Sequence, residues 1–297
     1  MYNYQFSDKI GLPWVIKKMP QFLFPDLSKK KDRIQKPFSG VLGSMDRSPI
    51  GLVLSTRDQE GTSARIHSLL VHPHYRNQQI AFNMLTLLEK ELVKKGVTQI
   101  DGYFRSHWKS AEHITSLLKK MQWSAPKEAL TIVRGLAVNA LRVFSQDKSD
   151  LPDGYSFISY DRLQSNEKEW ILAQEQEQWY PSHLNPFQNP STIYAPSSIF
   201  LKYENKIVGW VITHLVAPEL NEFTSLFIDP SHRTFRIAHR LMHEGIDQQV
   251  RTGIKNFMIT ARTDNKIMSR YVQRHRQTAN LLLTRSMHAK KQLSALP

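Results

Sequence analysis

The chain has 297 residues, 40% of them hydrophobic and 10% aromatic, which is enough to bury the core of one large or two ordinary domains. It contains no cysteine, which excludes disulfides, thiolate metal sites, a cysteine nucleophile and cysteine-based redox chemistry. Its net charge of +14 gathers at the ends, +10 over 1–150 and +9 over 251–297 against −5 over 151–250, a distribution that suits an anionic partner such as nucleic acid, an acidic protein or a phosphorylated cofactor.

The first 37 residues hold "IGLPWVIKKMPQFLF" (10–24), a basic and aromatic mixture in which Pro13 and Pro20 interrupt any membrane-surface helix, so a packed domain start is expected. No apolar run approaches the roughly 18 residues of a spanning helix and the start lacks an export signal, so no membrane span and a cytoplasmic location are expected. "SPIGLVLST" (48–56) and "SARIHSLLV" (63–71) have strand composition, and the apolar spacing over 80–96 predicts a helix stopped at Gly96. A strand over 97–104, an amphipathic helix over 110–123 and a strand over 129–136 follow.

The polar stretch "SQDKSDLPDG" (145–154) reads as a linker. Beyond it come a strand (154–160), a helix (166–180) and a Pro-, Asn- and aromatic-rich loop (179–196) that reads either as a substrate lid or as packed surface. The first order then returns: strands at 206–215 and 223–229, a helix over 236–253, a strand over 254–262, a helix over 265–276 and a strand over 280–285. "VHPHYRNQQIA" (71–81) and "IDPSHRTFRIA" (228–238) hold the same place in the two orders, 157 residues apart. That distance is too long for a solenoid and fits a duplicated domain, divided into 1–146 and 147–297.

These residues resemble the GNAT N-acetyltransferase superfamily, whose signature runs from a strand through Val-x-Pro and an Arg- or Gln-x-x-Gly-x-Gly/Ala turn into a helix. The matching residues are Val71, Pro73, Arg76, Gln79 and Ala81 in the first copy, and Ile228, Pro230, Arg233, Arg236 and Ala238 in the second. The resemblance implies two tandem α/β (α+β) domains, each a mixed, mostly antiparallel sheet flanked by helices. It also implies an acyl-CoA-dependent N-acyltransferase using acetyl-CoA or another acyl-CoA on a small-molecule or protein amine. Backbone amides at such a helix start, aided by the helix dipole, hold the pyrophosphate, and the preceding strand offers main-chain groups to the pantetheine arm. The implied cofactor residues are Leu69, Leu70, Val71, Arg76, Asn77, Gln78, Gln79, Ile80 and Ala81, with Arg233, Arg236 and Ala238 in the second copy. Both copies depart from the pattern where the turn wants glycine, with Gln79 and Arg236. Either the long side chain occupies the phosphate site or it swings outward.

Direct attack of an amine on a thioester needs a base, and often a tyrosine to protonate the thiolate. His67 stands where some members carry a histidine, and Glu222 is the nearest second-copy counterpart. The family's last-helix tyrosine is replaced by Leu118 in copy one and matched by Tyr271 in copy two. His239 and His243 stand four apart on a helix, but no HExxH order accompanies them and no metal is expected. The competing reading is a catalytically inactive GNAT-like scaffold that binds an acidic protein or nucleic acid through basic ends including Arg270, Arg274, Arg276, Arg285, Lys290 and Lys291.

Overall fold

Alternation decides the first strand. Tyr2, Tyr4, Phe6, Asp8 and Ile10 are partly buried while their neighbours face solvent, and Tyr2–Ile10 forms β1. In this computed structural model residues 1–24, 27, 37–144, 150–266 and 280–294 are described. Helix α1 (Leu12–Lys18) accepts Pro13 in its first turn and buries Leu12 and Val15. Strands β2 (Phe38–Met45) and β3 (Ser48–Arg57) are joined by Asp46 and Arg47, both left-handed (φ 48° and 67°), the two-residue turn whose twist suits a hairpin.

Strand β4 (Ser63–Val71) leads into α2 (Ile80–Val93). That helix is closed where Gly96 turns left-handed (φ 83°) and the Val97 N–H donates to the Leu92 carbonyl at 3.1 Å. Then come β5 (Gln99–Arg105), α3 (Ala111–Lys120), β6 (Lys127–Leu136) and α4 (Ala137–Phe144). The second series is β7 (Tyr155–Ser159), α5 (Ser165–Gln176), β8 (Ile199–Tyr203), β9 (Lys206–Ala217), β10 (Leu220–Ile228), α6 (Phe235–Arg251), β11 (Asn256–Arg262) and β12 (Leu282–Gln292). Its β8–β9 hairpin reuses the left-handed pair, with Glu204 and Asn205 at φ 46° and 67°.

The chain divides into two compact units: Met1–Ala129 with Arg285–Pro297, and Leu130–Thr284. The first has strand order β1-β2-β3-β4-β5-β12, with only β4–β5 parallel. The second has β7-β8-β9-β10-β11-β6, with only β10–β11 parallel. Each is thus a mixed, mostly antiparallel sheet flanked by helices, and the two share one topology. The sixth strand of each comes from the other half of the sequence. The sequence repeat suggests a division at 146/147, while the compact units trade their last strands.

Side-chain alternation along the strands of the first unit gives it two apolar layers. Val41, Val53 and Ala64 pack under α2 with its Ile80, Met84, Leu85, Leu88 and Leu92, whereas Phe38, Leu52 and Leu54 pack with Leu12, Val15 and Phe22 on the α1 side. Gly51 lets α2 settle on the hairpin, because a Cβ there would lie 2.9 Å from the Met84 methyl carbon. Five elements were not anticipated: β1, α1, β2, α4 and β8. The last strand, expected over 280–285, runs to Gln292. The helix expected over 265–276 falls almost wholly outside the described residues. No described helix is long and apolar enough to cross a membrane.

Candidate active site

In the first unit β4 and β5 pair only from Ser63↔Gln99 to Ile66↔Gly102 and then part. The fork opens at a bulge. On the other edge of β4, Leu54 pairs with Ser68 and Ser55 with Ile66, so His67 is the bulged residue. Beyond the bulge β4 stays zipped to β3, where the His72 N–H donates to the Ile50 carbonyl at 2.8 Å. Antiparallel alternation therefore turns the main chain of Leu70 toward β3 and that of Leu69 and Val71 toward the open fork. The Val71 carbonyl accepts from Arg76 Nε at 3.2 Å, so Arg76 fastens the turn to the strand.

The turn itself is strained where the pattern wants glycine. Asn77 (φ 63°) and Gln79 (φ 61°, ψ 7°) are left-handed, and Gln79 is the N-cap residue of α2. Its side chain is exposed, and its Oε1 lies 3.5 Å from Lys120 Nζ of α3, a long contact at the edge of hydrogen-bond range. Of the two alternatives, then, the glutamine swings outward. The first turn of α2 has neither a capping side chain nor an acidic residue. Gln78 is turned back on the loop, its Nε2 donating to the His74 carbonyl at 3.2 Å and its Oε1 accepting from the Tyr2 hydroxyl. Ile80 is buried under the helix. An uncapped helix start, with one ammonium nearby and no carboxylate in its first turn, is an environment made for an anion.

His67 lies at the mouth of the fork. Its Nε2 is 2.7 Å from Thr56 Oγ1, and its ring meets Phe38 edge-on at 5.6 Å. Thr56 pairs across β3–β4 with Arg65, which grips Asp101 of β5 through two bonds of 2.9 and 3.0 Å. The Arg65 guanidinium also sits 5.1 Å from the ring centre of Tyr103. Thr56, Arg65, His67, Asp101 and Tyr103 therefore share one face of the sheet. From β12, His288 joins them, stacked on Tyr103 at 4.5 Å and 3.4 Å from Asp101 Oδ2. Sequence reasoning missed Thr56, Tyr103, Lys120 and His288, because strand register and strand exchange bring them here.

The second unit repeats the frame with other contents. Strands β10 and β11 pair from Leu220 to Phe223 and part, Thr224 is the bulged residue, and the Ile228 carbonyl accepts from Arg233 Nε (3.2 Å) and Nη2 (2.9 Å). Leu226 and Ile228 face the fork as Leu69 and Val71 do, and Phe227 faces β9. The turn differs. Helix α6 starts at Phe235, two residues earlier in the repeat than α2, and Thr234 caps it by accepting from the Ile237 N–H at 3.3 Å. The Ala238 N–H donates to the Thr234 carbonyl. Arg236 thus lies inside the first helical turn, and its Nη2 donates to the Asp150 carbonyl at 2.7 Å, away from any phosphate role. Asp229 holds the place of His72. Burial works against its charge, but hydrogen bonds from Ser231 and Trp179 keep its carboxyl below the usual carboxylate range. Thr234 thus engages the Ile237 and Ala238 amides that match Ile80 and Ala81, while Asp229 caps the preceding short turn through the Ser231 N–H.

Glu222 lies within β10, not in the turn, and accepts from Thr260 Oγ1 at 2.6 Å. Tyr271 lies outside the described residues, as do Arg270, Arg274 and Arg276. Arg285, Lys290 and Lys291 belong to a strand and not to a terminal helix, with Arg285 paired to Glu128 at 3.3 Å and Lys291 to Glu89 at 2.6 Å. The loop 179–196 is packed: Tyr180 is buried, and the Leu184 carbonyl accepts from Trp210 Nε1 (3.0 Å) and Ser225 Oγ (2.8 Å). That burial, with Glu175 second, pushes the Tyr180 hydroxyl up to about 12. His239 turns to the α4 side of α6, its ring 5.0 Å from Phe144, and no metal-holding group of three His, Asp or Glu exists among the described residues.

The acetyltransferase (GNAT) family model matches residues 13–103 and 162–275, one match in each copy. Over 99% of its length the chain is similar to all of a solved tandem GNAT protein from the clavulanic acid biosynthesis pathway, at 11% identity and a TM-score of 0.71. A GCN5-related N-acetyltransferase from Sphaerobacter thermophilus is similar over 99% of this chain and 96% of its own, at 12% identity and a TM-score of 0.64. A glucosamine N-acetyltransferase region of a fungal multi-domain GH3 β-N-acetylglucosaminidase is similar over 98% of this chain and 38% of that one, at 10% identity and a TM-score of 0.67. At these identities the likeness is one of fold. No curated protein matches the chain at a significant level.

Proposed function

The chain belongs to the GNAT acetyltransferase family, and on that premise we propose that its first unit binds an acyl-CoA, acetyl-CoA first, and transfers the acyl group to the amine of a small molecule or protein. One observation carries the reading: the turn before α2 keeps an open, left-handed, uncapped helix start, while the matching turn before α6 is capped by its own Thr234. The residues fit the cofactor. The amides at Ile80 and Ala81 face an anion with no side chain in competition, Lys120 adds positive charge, and Leu69 and Val71 offer main-chain groups along the fork.

Bound acyl-CoA would supply a reactive thioester. His67, held by Thr56, is the base that takes a proton from the acceptor ammonium. Glu222 has no such part, being engaged with Thr260 beside a fork whose turn is closed.

The test is calorimetry with acetyl-CoA, followed by thiol release in the presence of a panel of amines. Binding at one site per chain with micromolar affinity is expected. Absence of binding at millimolar acetyl-CoA would overturn the proposal.

A further inference from the structure

Copy one has no tyrosine where the family's last helix carries it. Leu118 of α3 stands there, buried and without a hydroxyl. The fork offers another phenol. We propose that Tyr103 is the acid that protonates the departing thiolate, and that His288, carried in by β12 from the far end of the sequence, positions it. The proposal rests on the reading of the first unit as the transferase.

The argument starts from register. A cofactor whose pyrophosphate sits at the Gln79–Ala81 turn and whose arm follows the fork-facing main chain of Val71 and Leu69 runs backward along β4 toward the bulge at His67. That is four residues, or about 13 Å of extended chain. On β5 the last residue paired to β4 is Gly102, so Tyr103 is the first residue across the opening. It shares the His67 face of the sheet through the chain of contacts Thr56–Arg65–Asp101. Base and phenol thus flank the fork where the reacting group arrives.

Tyr103 is also held. Directly opposite it on β12 is His288, stacked on the ring and tied to Asp101, while Arg65 covers it from β4. The ring is 41% exposed, and no group among the described residues is bonded to its hydroxyl. The charged and titratable groups around it are Arg65 from β4, Asp101 and Arg105 from its own strand, and His288 and Lys290 from β12.

The step balances. The acceptor ammonium loses one proton through His67 to solvent; the resulting amine bonds to the acyl carbon and gives a second proton to His67 as the carbon–sulfur bond breaks, and the sulfur takes the Tyr103 proton. The proton on His67 then returns through solvent to the phenolate.

The experiment compares acyl transfer against pH in wild type, Tyr103→Phe, His288→Ala and His288→Phe, with acetyl-CoA affinity and melting temperature measured for each. Tyr103→Phe is expected to lower kcat tenfold to a hundredfold at unchanged Kd and to remove the falling basic limb of the profile. His288→Ala should lower kcat while keeping that limb, and His288→Phe, which preserves the stack, should recover most of the loss. An unchanged kcat and basic limb in Tyr103→Phe would overturn the acid, and failure of His288→Phe to recover activity would overturn the positioning role. A wild type that binds no acyl-CoA would instead sink the parent reading.

Discussion

The two copies build the same frame and close it differently. Each has a parallel strand pair that forks at a bulge, a carbonyl pinned by an arginine, and a short turn into a long helix. In copy one the turn pays for openness with two left-handed residues that are not glycine, at roughly 1–2 kcal/mol each. In copy two the helix begins two residues earlier and the strain is gone. Relief of backbone strain and loss of an anion site are the same structural change. Retention of the costlier turn in one copy only supports the proposal that the site lies there.

The largest effect should separate the two forks by chemistry. His67→Gln is expected to lower kcat/KM for acetyl transfer by at least about a hundredfold, as loss of a general base does. Glu222→Gln should change it less than about threefold, within the range of surface substitutions. Steady-state thiol release measures both. Equal losses would place chemistry in both copies or in neither.

Charge at the turns sharpens the contrast further. Gln79→Glu puts a carboxylate at the α2 helix start, in line with the incoming diphosphate, and is expected to weaken acetyl-CoA binding about tenfold. Arg236→Glu, the same change at the matched position, should leave the affinity within about twofold, because that guanidinium serves Asp150. Calorimetry on the two variants reads the difference directly.

Much of this comparison is legible in the sequence, and the missing part has a physical cause. The duplicated Val-x-Pro and Ile-x-Pro turns, and the periods of the strands and helices around them, show the fold and the position of the two matched turns. Thr234 is a good capping residue before an amphipathic run, a local signal that α6 begins before Arg236. The bulges are not visible, because His67 and Thr224 look like ordinary strand residues until register leaves them over. Nor is the strand exchange visible, since β6 and β12 have patterns that either sheet could accept. Tyr103 and His288 are 185 residues apart in sequence and meet only because β12 crosses to the first unit.

Acid sensitivity should also differ between the turns. Asp229 has a folded pKa held below its unfolded value, so the stability it adds is complete above about pH 4 and is lost as pH falls through the folded value. Copy one has His72 there and no such carboxylate. Asp8, on β1, is a separate acid-sensitive group of the first unit: burial opposes its charge, but Ser39, Lys95 and Arg57 hold it low. Asp229→Asn should therefore lower the melting temperature at neutral pH and flatten its fall on acidification, while the Asp8-dependent part of that fall persists. An acid profile parallel to that of wild type would mean that the turn carboxylate contributes nothing.

The smallest effect has the clearest sign. Gln79→Gly removes a left-handed penalty at a position that glycine adopts freely, and after the greater chain entropy of glycine in the unfolded state is deducted it should stabilise the protein by up to about 1 kcal/mol. Arg236→Gly puts glycine inside the first turn of a regular helix and breaks the bond to Asp150, so it should destabilise by about 1 kcal/mol. Chemical denaturation of both variants would show opposite shifts for one substitution at two matched positions of a repeat. That outcome follows only if the first turn is held open against its own backbone preference and the second has relaxed into its helix; shifts of the same sign would mean that the two turns had not diverged in this way.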